Sequence, residues 1–142
     1  MADGRFDHWN KERYAEIGLE LTHAEPDQVT MTWTPTPATH NFAGGVDGGV
    51  IAMVLDQVCC TAAATRTAQA TAMVTLSLNI DFTRAPRTGQ PHAVRGELVH
   101  AGRHRMLTNG HVYDSQGRTV AQAVGAIVPG DQLATAQPPG ED

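Results

Sequence analysis

One carboxylate sits where an apolar helix should carry none. From Gly48 to Ala64 the polar side chains are Asp56, Gln57 and Thr61. A helix apolar on nearly every face is normally buried. An unpaired carboxylate in that setting costs several kcal/mol or takes up a proton, so Asp56 calls for a water path, a partner or a chemical task. As a general base it would take a proton from water; as a nucleophile it would attack a carbonyl and form a transient anhydride. The residues ahead of it supply the complement. Asn41-Phe-Ala-Gly-Gly-Val-Asp47 runs into Gly48 and Gly49, whose backbone N–H groups lack intrahelical acceptors at a helix start and have no side chain in front of them. One donor so placed on a polarised carbonyl stabilises a transition state by about 2.7–4 kcal/mol. The plain alternative is that the two glycines permit a sharp turn into the helix. Asn41 either positions a reactant or closes the loop. Asp47 falls at the N-cap, where a carboxylate gains ~0.3–1 kcal/mol without doing chemistry.

Other chemistries fit poorly. The two serines, Ser77 and Ser115, lie outside any Gly-x-Ser-x-Gly. Gly44-Gly-Val-Asp-Gly-Gly49 lacks the Gly-Lys-Ser/Thr ending of a phosphate loop. Seven histidines are scattered, and His100 with His104 straddles a Gly-Arg turn without a third ligand, so no metal is expected. The net charge of −5, with one lysine (Lys11) and nine dispersed arginines, argues against a nucleic-acid partner, which selects a concentrated basic face. The longest apolar run, Val50 to Leu55, is far short of a membrane span. The first residues lack the basic start and apolar stretch of a secretion signal. Cys59 and Cys60 are neighbours, about 100° apart on a helix and unable to bridge. Reduced thiols in a cytoplasmic protein are the expectation.

The elements that position these groups follow from patterning. A chain of 142 residues, 41% hydrophobic, suits one domain with a packed core. Phe6, Trp9, Arg13 and Ile17 stand near helical spacing, so residues 1–18 read as an N-terminal helical segment that Gly18 can end. The runs 19–24 and 29–34, split by Glu25-Pro-Asp27, read as a hairpin. A central helix over 48–66 would be roughly 28 Å long. Met73 to Thr83 alternates, with Val74, Leu76, Leu78, Ile80 and Phe82 on one face and Thr75, Ser77, Asn79, Asp81 and Thr83 on the other. Strands over 93–100, 106–113 and 119–128 follow, the last mid-sheet because it is apolar on both faces. Residues 131–142 read as a disordered tail. The fold class is α+β: one main domain over 19–130, a six-stranded antiparallel sheet wrapped around a single long helix that only such a sheet could hide.

This order of elements resembles the hotdog-fold acyl-CoA thioesterases of the phenylacetate-type (PaaI-like) group. The signature is carried by Asn41, Gly44, Asp47-Gly48-Gly49 and Leu55-Asp56, then by Phe82-Thr-Arg84-Ala-Pro86, Gly102-Arg103 and Gly117 to Gly125, over roughly residues 30 to 128. Where the family usually has His before Gly-Gly, this chain has Asp47, so the histidine's role is not carried over.

The resemblance implies hydrolysis of an aryl- or medium-chain acyl-CoA thioester. Asp56 would be base or nucleophile, and Gly48, with Gly49, would grip the carbonyl. Thr75 matches a hydroxyl residue that faces the site in the family. The alternation puts it on the opposite face, so a bulge intervenes or the correspondence fails. Coenzyme A, part of the substrate and not a cofactor, carries phosphates that suit arginine; Arg84, Arg103 and Arg105 are the candidates, and Met53 is a candidate for the acyl pocket. Gly48 and Asp56 lie eight residues apart, ~12 Å along the axis, too far to grip one thioester within a single chain. The resemblance therefore implies a homodimer with shared active sites, dimers of dimers being a further assembly. Two alternatives stand beside it: a non-catalytic acyl-thioester binding protein, with Asp47 marking lost activity, and a hotdog enoyl-CoA hydratase or dehydratase, for which only His40 precedes the helix.

Overall fold

The computed structural model describes residues 6, 9, 11–67 and 72–131. Its elements are α1 (Lys11–Ala15), β1 (Leu19–Glu25), β2 (Gln28–Trp33), α2 (Gly48–Ala64), β3 (Met73–Phe82), β4 (His92–Ala101), β5 (Met106–Tyr113) and β6 (Thr119–Pro129), with a 3-10 turn at Pro37–Thr39. Six strands form one sheet in the order β1-β2-β4-β5-β6-β3, every pair antiparallel. The α+β hotdog architecture is as expected, and β6 does lie inside the sheet.

The sheet holds α2 through its inward residues. Ile51, Val54, Leu55, Val58, Cys59 and Ala62 pack with Val29, Met31, Trp33, Val94, Val112 and Ile127, all buried. The helix rides so close that glycine is required beneath it. A Cβ added at Gly96 would stand 2.4 Å from the Val58 carbonyl oxygen, and one at Gly110 would stand 2.9 Å from Cys59 Sγ.

Three expectations need adjustment. The N-terminal helix is shorter than the spacing of Phe6, Trp9 and Ile17 suggests. It covers Lys11–Ala15, while Phe6 forms a turn and Trp9 a bend; residues 1–5, 7, 8 and 10 lie outside the described part. Gly18 does follow the helix, at φ +83°, where its position against the Thr34 carbonyl leaves no room for a Cβ. The sheet also does not hide α2 all round. Val50, Ala52, Met53, Asp56, Gln57 and Cys60 stay half-buried along one side, because one layer of strands covers one face of a helix. Finally, the pleat of β3 is interrupted by a register shift between Thr75 and Ser77. The expected tail, apart from Asp131, lies outside the described residues.

The far end of α2 is tied to the β1–β2 turn. Asp27, at φ +72°, receives the Arg66 guanidinium on both carboxylate oxygens, and its amide donates to Thr65 Oγ1 at 3.0 Å.

Candidate active site

The entry to α2 is built by Asn41. Its Oδ1 accepts from the amides of Ala43 (3.0 Å) and Gly45 (3.2 Å), and its own amide donates to the Gly45 carbonyl at 2.7 Å. Gly44 takes φ +83° to close this turn. The side-chain oxygen thus shapes the loop, which favours the capping reading of Asn41. Asp47 occupies the N-cap position, but its carboxylate makes no capping hydrogen bond and is exposed. Its carbonyl, instead, accepts from Val50 and Ile51. The amides of Gly48 and Gly49 have no backbone acceptor among the described residues. Both glycines are exposed; a Cβ at Gly49 would meet nothing within 4 Å, and one at Gly48 would meet the Phe82 ring at 3.8 Å. Two donors at the positive end of a helix dipole therefore face open space.

Two turns on, Asp56 stands half-buried in a crevice of about 420 Å³. Thr75 Oγ1 donates to its Oδ1 at 2.5 Å. Cys60, one helical turn away, directs its Sγ to the same oxygen at 3.8 Å and lies 3.3 Å from Thr75 Oγ1. Both donors converge on Oδ1, and Oδ2 has no side-chain donor among the described residues. Burial pushes the Cys60 thiol up to about 12, with the Asp56 and Cys59 charges adding to it; burial likewise pushes Cys59 up to about 11. Both thiols are free and stay protonated at neutral pH, so neither offers the thiolate that a nucleophile needs.

Thr75 reaches Asp56 because of the irregularity in β3. One extra residue in a strand turns the pleat over. Met73 and Thr75 face the helix before it, Leu78 and Ile80 face the core after it, and Leu76 is left exposed. The strict alternation expected of this strand is thus corrected, and the two possibilities left open for Thr75 resolve in favour of the bulge.

Gly49, Met53, Asp56 and Cys60 follow one another at spacings of four, three and four, so they share one helix face, and this is the face the sheet leaves uncovered. The arginines divide between two ends. Arg84 follows Phe82 and so stands near the start of α2. Arg103 and Arg105 sit in the β4–β5 turn, beside Met106, which pairs with Ile127 just as Thr75 does. All three are exposed, and none forms an ion pair among the described residues. The structure thus brings Asp56, Thr75 and Cys60 together midway along α2, leaves Gly48 and Gly49 at its start with the Phe82 ring beside them, and separates these groups by the length the helix imposes. Cys60, Phe6 and Trp9, which also line the crevice, were not singled out by sequence; for Cys60 the signal was its place four residues after Asp56.

No group of three or more His, Cys, Asp or Glu that could hold a metal exists among the described residues. Nor is any helix among them long and apolar enough to cross a membrane.

The family model of the thioesterase superfamily matches residues 43–121, a span holding the glycine entry, Asp56 and Thr75. No curated protein matches the chain. Among solved structures, the PaaI protein of the phenylacetic acid degradation operon of E. coli aligns at TM-score 0.75 with 20% identity, covering 85% of this chain and 90% of that one. A hypothetical thioesterase from Streptococcus pneumoniae, solved with coenzyme A, aligns at TM-score 0.73 and 21% identity over 79% of this chain and 88% of that one. A putative thioesterase related to phenylacetic acid degradation, from Ralstonia eutropha, aligns at TM-score 0.73 and 23% identity over 82% and 89%. At such identities the likeness is one of fold.

Proposed function

The chain belongs to the thioesterase superfamily and is a thioester hydrolase; on that premise we propose that it cleaves aryl- or medium-chain acyl-CoA thioesters, with Asp56 as the working carboxylate. The observation that carries this reading is the crevice in which Thr75 and Cys60 both address Asp56 Oδ1. That arrangement fixes the carboxylate and presents Oδ2 to the reacting carbonyl or to water. The thioester carbonyl accepts from the Gly48 and Gly49 amides, which strengthens as negative charge builds on oxygen. If Asp56 acts as base, it takes a proton from water as the water oxygen bonds to the acyl carbon. The C–S bond then breaks, and the proton passes to the departing coenzyme A sulfur. If it acts as nucleophile, Oδ2 displaces the thiolate, and water then opens the mixed anhydride.

Within one chain the amides and the carboxylate are ~12 Å apart along α2. A second copy laid antiparallel over the uncovered face would bring the amides of one chain to the Asp56 of the other, so we infer a homodimer with two shared sites. Arg84, Arg103 and Arg105 would then serve the phosphates of coenzyme A, and Met53 would line the acyl path.

The test is release of free thiol from benzoyl-, aryl-acetyl- and medium-chain acyl-CoA by the full-length protein, with Asp56→Asn and Asp56→Ala beside it. Turnover in the wild type that vanishes in both variants is the expected result. Binding without turnover would favour an acyl-thioester carrier, and water addition to an enoyl-CoA would favour a hydratase.

A further inference from the structure

The crevice beside Asp56 has a second wall that hydrolysis itself does not use. Phe6 and Trp9, from the segment ahead of α1, line it together with Cys60, Thr75, Ala64 and Met73. Phe6 is buried against Ala64, with Met73 packed beside them. Trp9 stacks its ring on Tyr14 with centroids 4.4 Å apart, and its backbone amide donates to the Phe6 carbonyl at 2.9 Å. The indole itself is half-buried. Its Nε1–H, however, is closed to water and has no acceptor, the one buried side-chain polar atom in that condition among the described residues. A buried donor left without a partner is penalised, and each instance in a native fold asks for an explanation. Indole nitrogen can only donate, so only an acceptor relieves it. The other tryptophan, Trp33, has its acceptor, the Ile17 carbonyl at 2.9 Å.

We propose that Trp9 is a specificity-determining residue for the acyl group. The inference rests on the Asp56 crevice being the acyl site, as argued above. The faces of Trp9 and Phe6 bind the apolar body of the acyl chain, and Nε1–H donates to an oxygen acceptor (hydroxyl, keto or ether) carried at its far end. The crevice, at about 420 Å³, falls in the ordinary range of small-molecule sites. Because the N–H has no open surface, the indole edge turns toward the ligand on binding, and the hydrogen bond it lacks is what drives that turn. An acyl group of the same shape without the oxygen gains nothing there. Trp9 also borders a neighbouring crevice lined by Lys11, Leu19 and Glu20, which holds none of the groups that act on a thioester.

The experiment compares acyl-CoA pairs that differ by a terminal methyl against a terminal hydroxyl: octanoyl with 7-hydroxyheptanoyl, and 4-methylbenzoyl with 4-hydroxybenzoyl. Full-length wild type and Trp9→Phe are assayed for kcat/KM; the variant keeps an aromatic ring and deletes the donor. In at least one pair, the variant should lower kcat/KM for the hydroxyl member about tenfold more than for the methyl member, equivalent to 1.4 kcal/mol. The wild type should also show a change in Trp9 emission on binding the hydroxyl member that the methyl member does not give. Equal ratios in wild type and variant for both pairs, or emission that responds alike to both members, would overturn the proposal. Should the wild type release thiol from none of the four, the hydrolase reading fails instead. Dissociation constants for the matching thioether analogues then decide the Trp9 question: a tenfold preference lost in Trp9→Phe sustains it, and no preference refutes it.

Discussion

Gly48→Pro tests the amide donors without disturbing the helix they begin. Proline is well accepted at the first position of a helix, where its missing N–H has no intrahelical role. It demands an extended residue before it, and Asp47 already has φ −60° and ψ 138°. Its Cβ would meet only the edge of Phe82, at 3.8 Å, an ordinary contact. On the proposed mechanism, what the substitution removes is one hydrogen-bond donor to the thioester oxygen. Loss of one such donor lowers kcat by about 10²–10³, or ~2.7–4 kcal/mol, while the melting temperature should stay near that of the wild type. The same variant reads the shared site. Gly48→Pro and Asp56→Ala homodimers each lack half of both sites. A mixed dimer pairs the intact amides of one chain with the intact carboxylate of the other, at one site of its two. Random exchange of subunits makes about half the dimers mixed, so activity should recover to about a quarter of the wild type. The assay is thiol release after co-refolding equal amounts of the two variants. A Gly48→Pro enzyme of undiminished kcat would refute the role of the amide, and no recovery on mixing would refute the shared site.

Three further outcomes are expected. Thr75→Val removes the donor to Asp56 Oδ1; a hydrogen bond to a charged group is worth about 1.5–3 kcal/mol, so kcat should fall roughly ten- to a hundredfold and be largely restored in Thr75→Ser. A side chain at Gly96 would strike the Val58 backbone at 2.4 Å, so Gly96→Ala should lose at least ~1–3 kcal/mol in urea unfolding, while Gly49→Ala, with open space around it, should be neutral or gain a few tenths. At Asp114, burial alone would raise the carboxyl, but the Arg118 amide and guanidinium and the Gln116 amide outweigh it and hold it below its ordinary 3.8. A depressed folded value means the contribution is present above the unfolded pKa of ~3.9 and lost as pH falls through the lower, folded one. Asp114→Asn should therefore lower stability at neutral pH and flatten the fall in stability below pH ~4, as followed by thermal melts across pH 2–7.

The architecture was legible because its signals are local and repeated. The alternating runs of β1 and β2, the apolar run of β6 and the turn residues between the later strands set the strands to within a residue or two of those observed. The apolar run of α2 set the one helix they enclose. What sequence alone overstated was the enclosure: six strands in one layer bury Ile51, Leu55 and Val58 but leave Met53, Asp56 and Cys60 half-covered. Apolarity says that a face is buried without saying by what. A helix greasy on both sides fits equally a sheet that closes around it and a sheet plus a second copy of the chain. The N-terminal segment misled for a related reason. Phe6 and Trp9 stand at helical spacing because both face the core and the crevice, yet they do so from a turn and a bend.

Asp56 could be found from sequence as a charge out of place, but Thr75 could not be given its role, and the difference lies in how each pattern carries information. A helix position fixes its neighbours by spacing alone, so Cys60 is bound to lie one turn from Asp56. A strand position fixes its face only while the pleat is unbroken. In β3 the sequence Val74-Thr-Leu-Ser-Leu-Asn-Ile80 reads as continuous alternation, and taken at its word it turns Thr75 away from the helix. The extra residue after Thr75 reverses that: it exposes Leu76 at 41% of its surface and delivers a hydroxyl to the carboxylate. Exposing a leucine sets a cost on the order of 1–2 kcal/mol against the fold. The compensating term is an acid that would otherwise sit in the crevice with only a thiol 3.8 Å away. Deleting Leu76 would remove the extra residue and leave Thr75 and Leu78 two positions apart in an unbroken pleat, both on the inner face. An otherwise folded chain should then keep the hydroxyl at the carboxylate and keep hydrolysis, where Thr75→Val loses it; loss of activity in a folded Leu76 deletion would refute this account of the bulge.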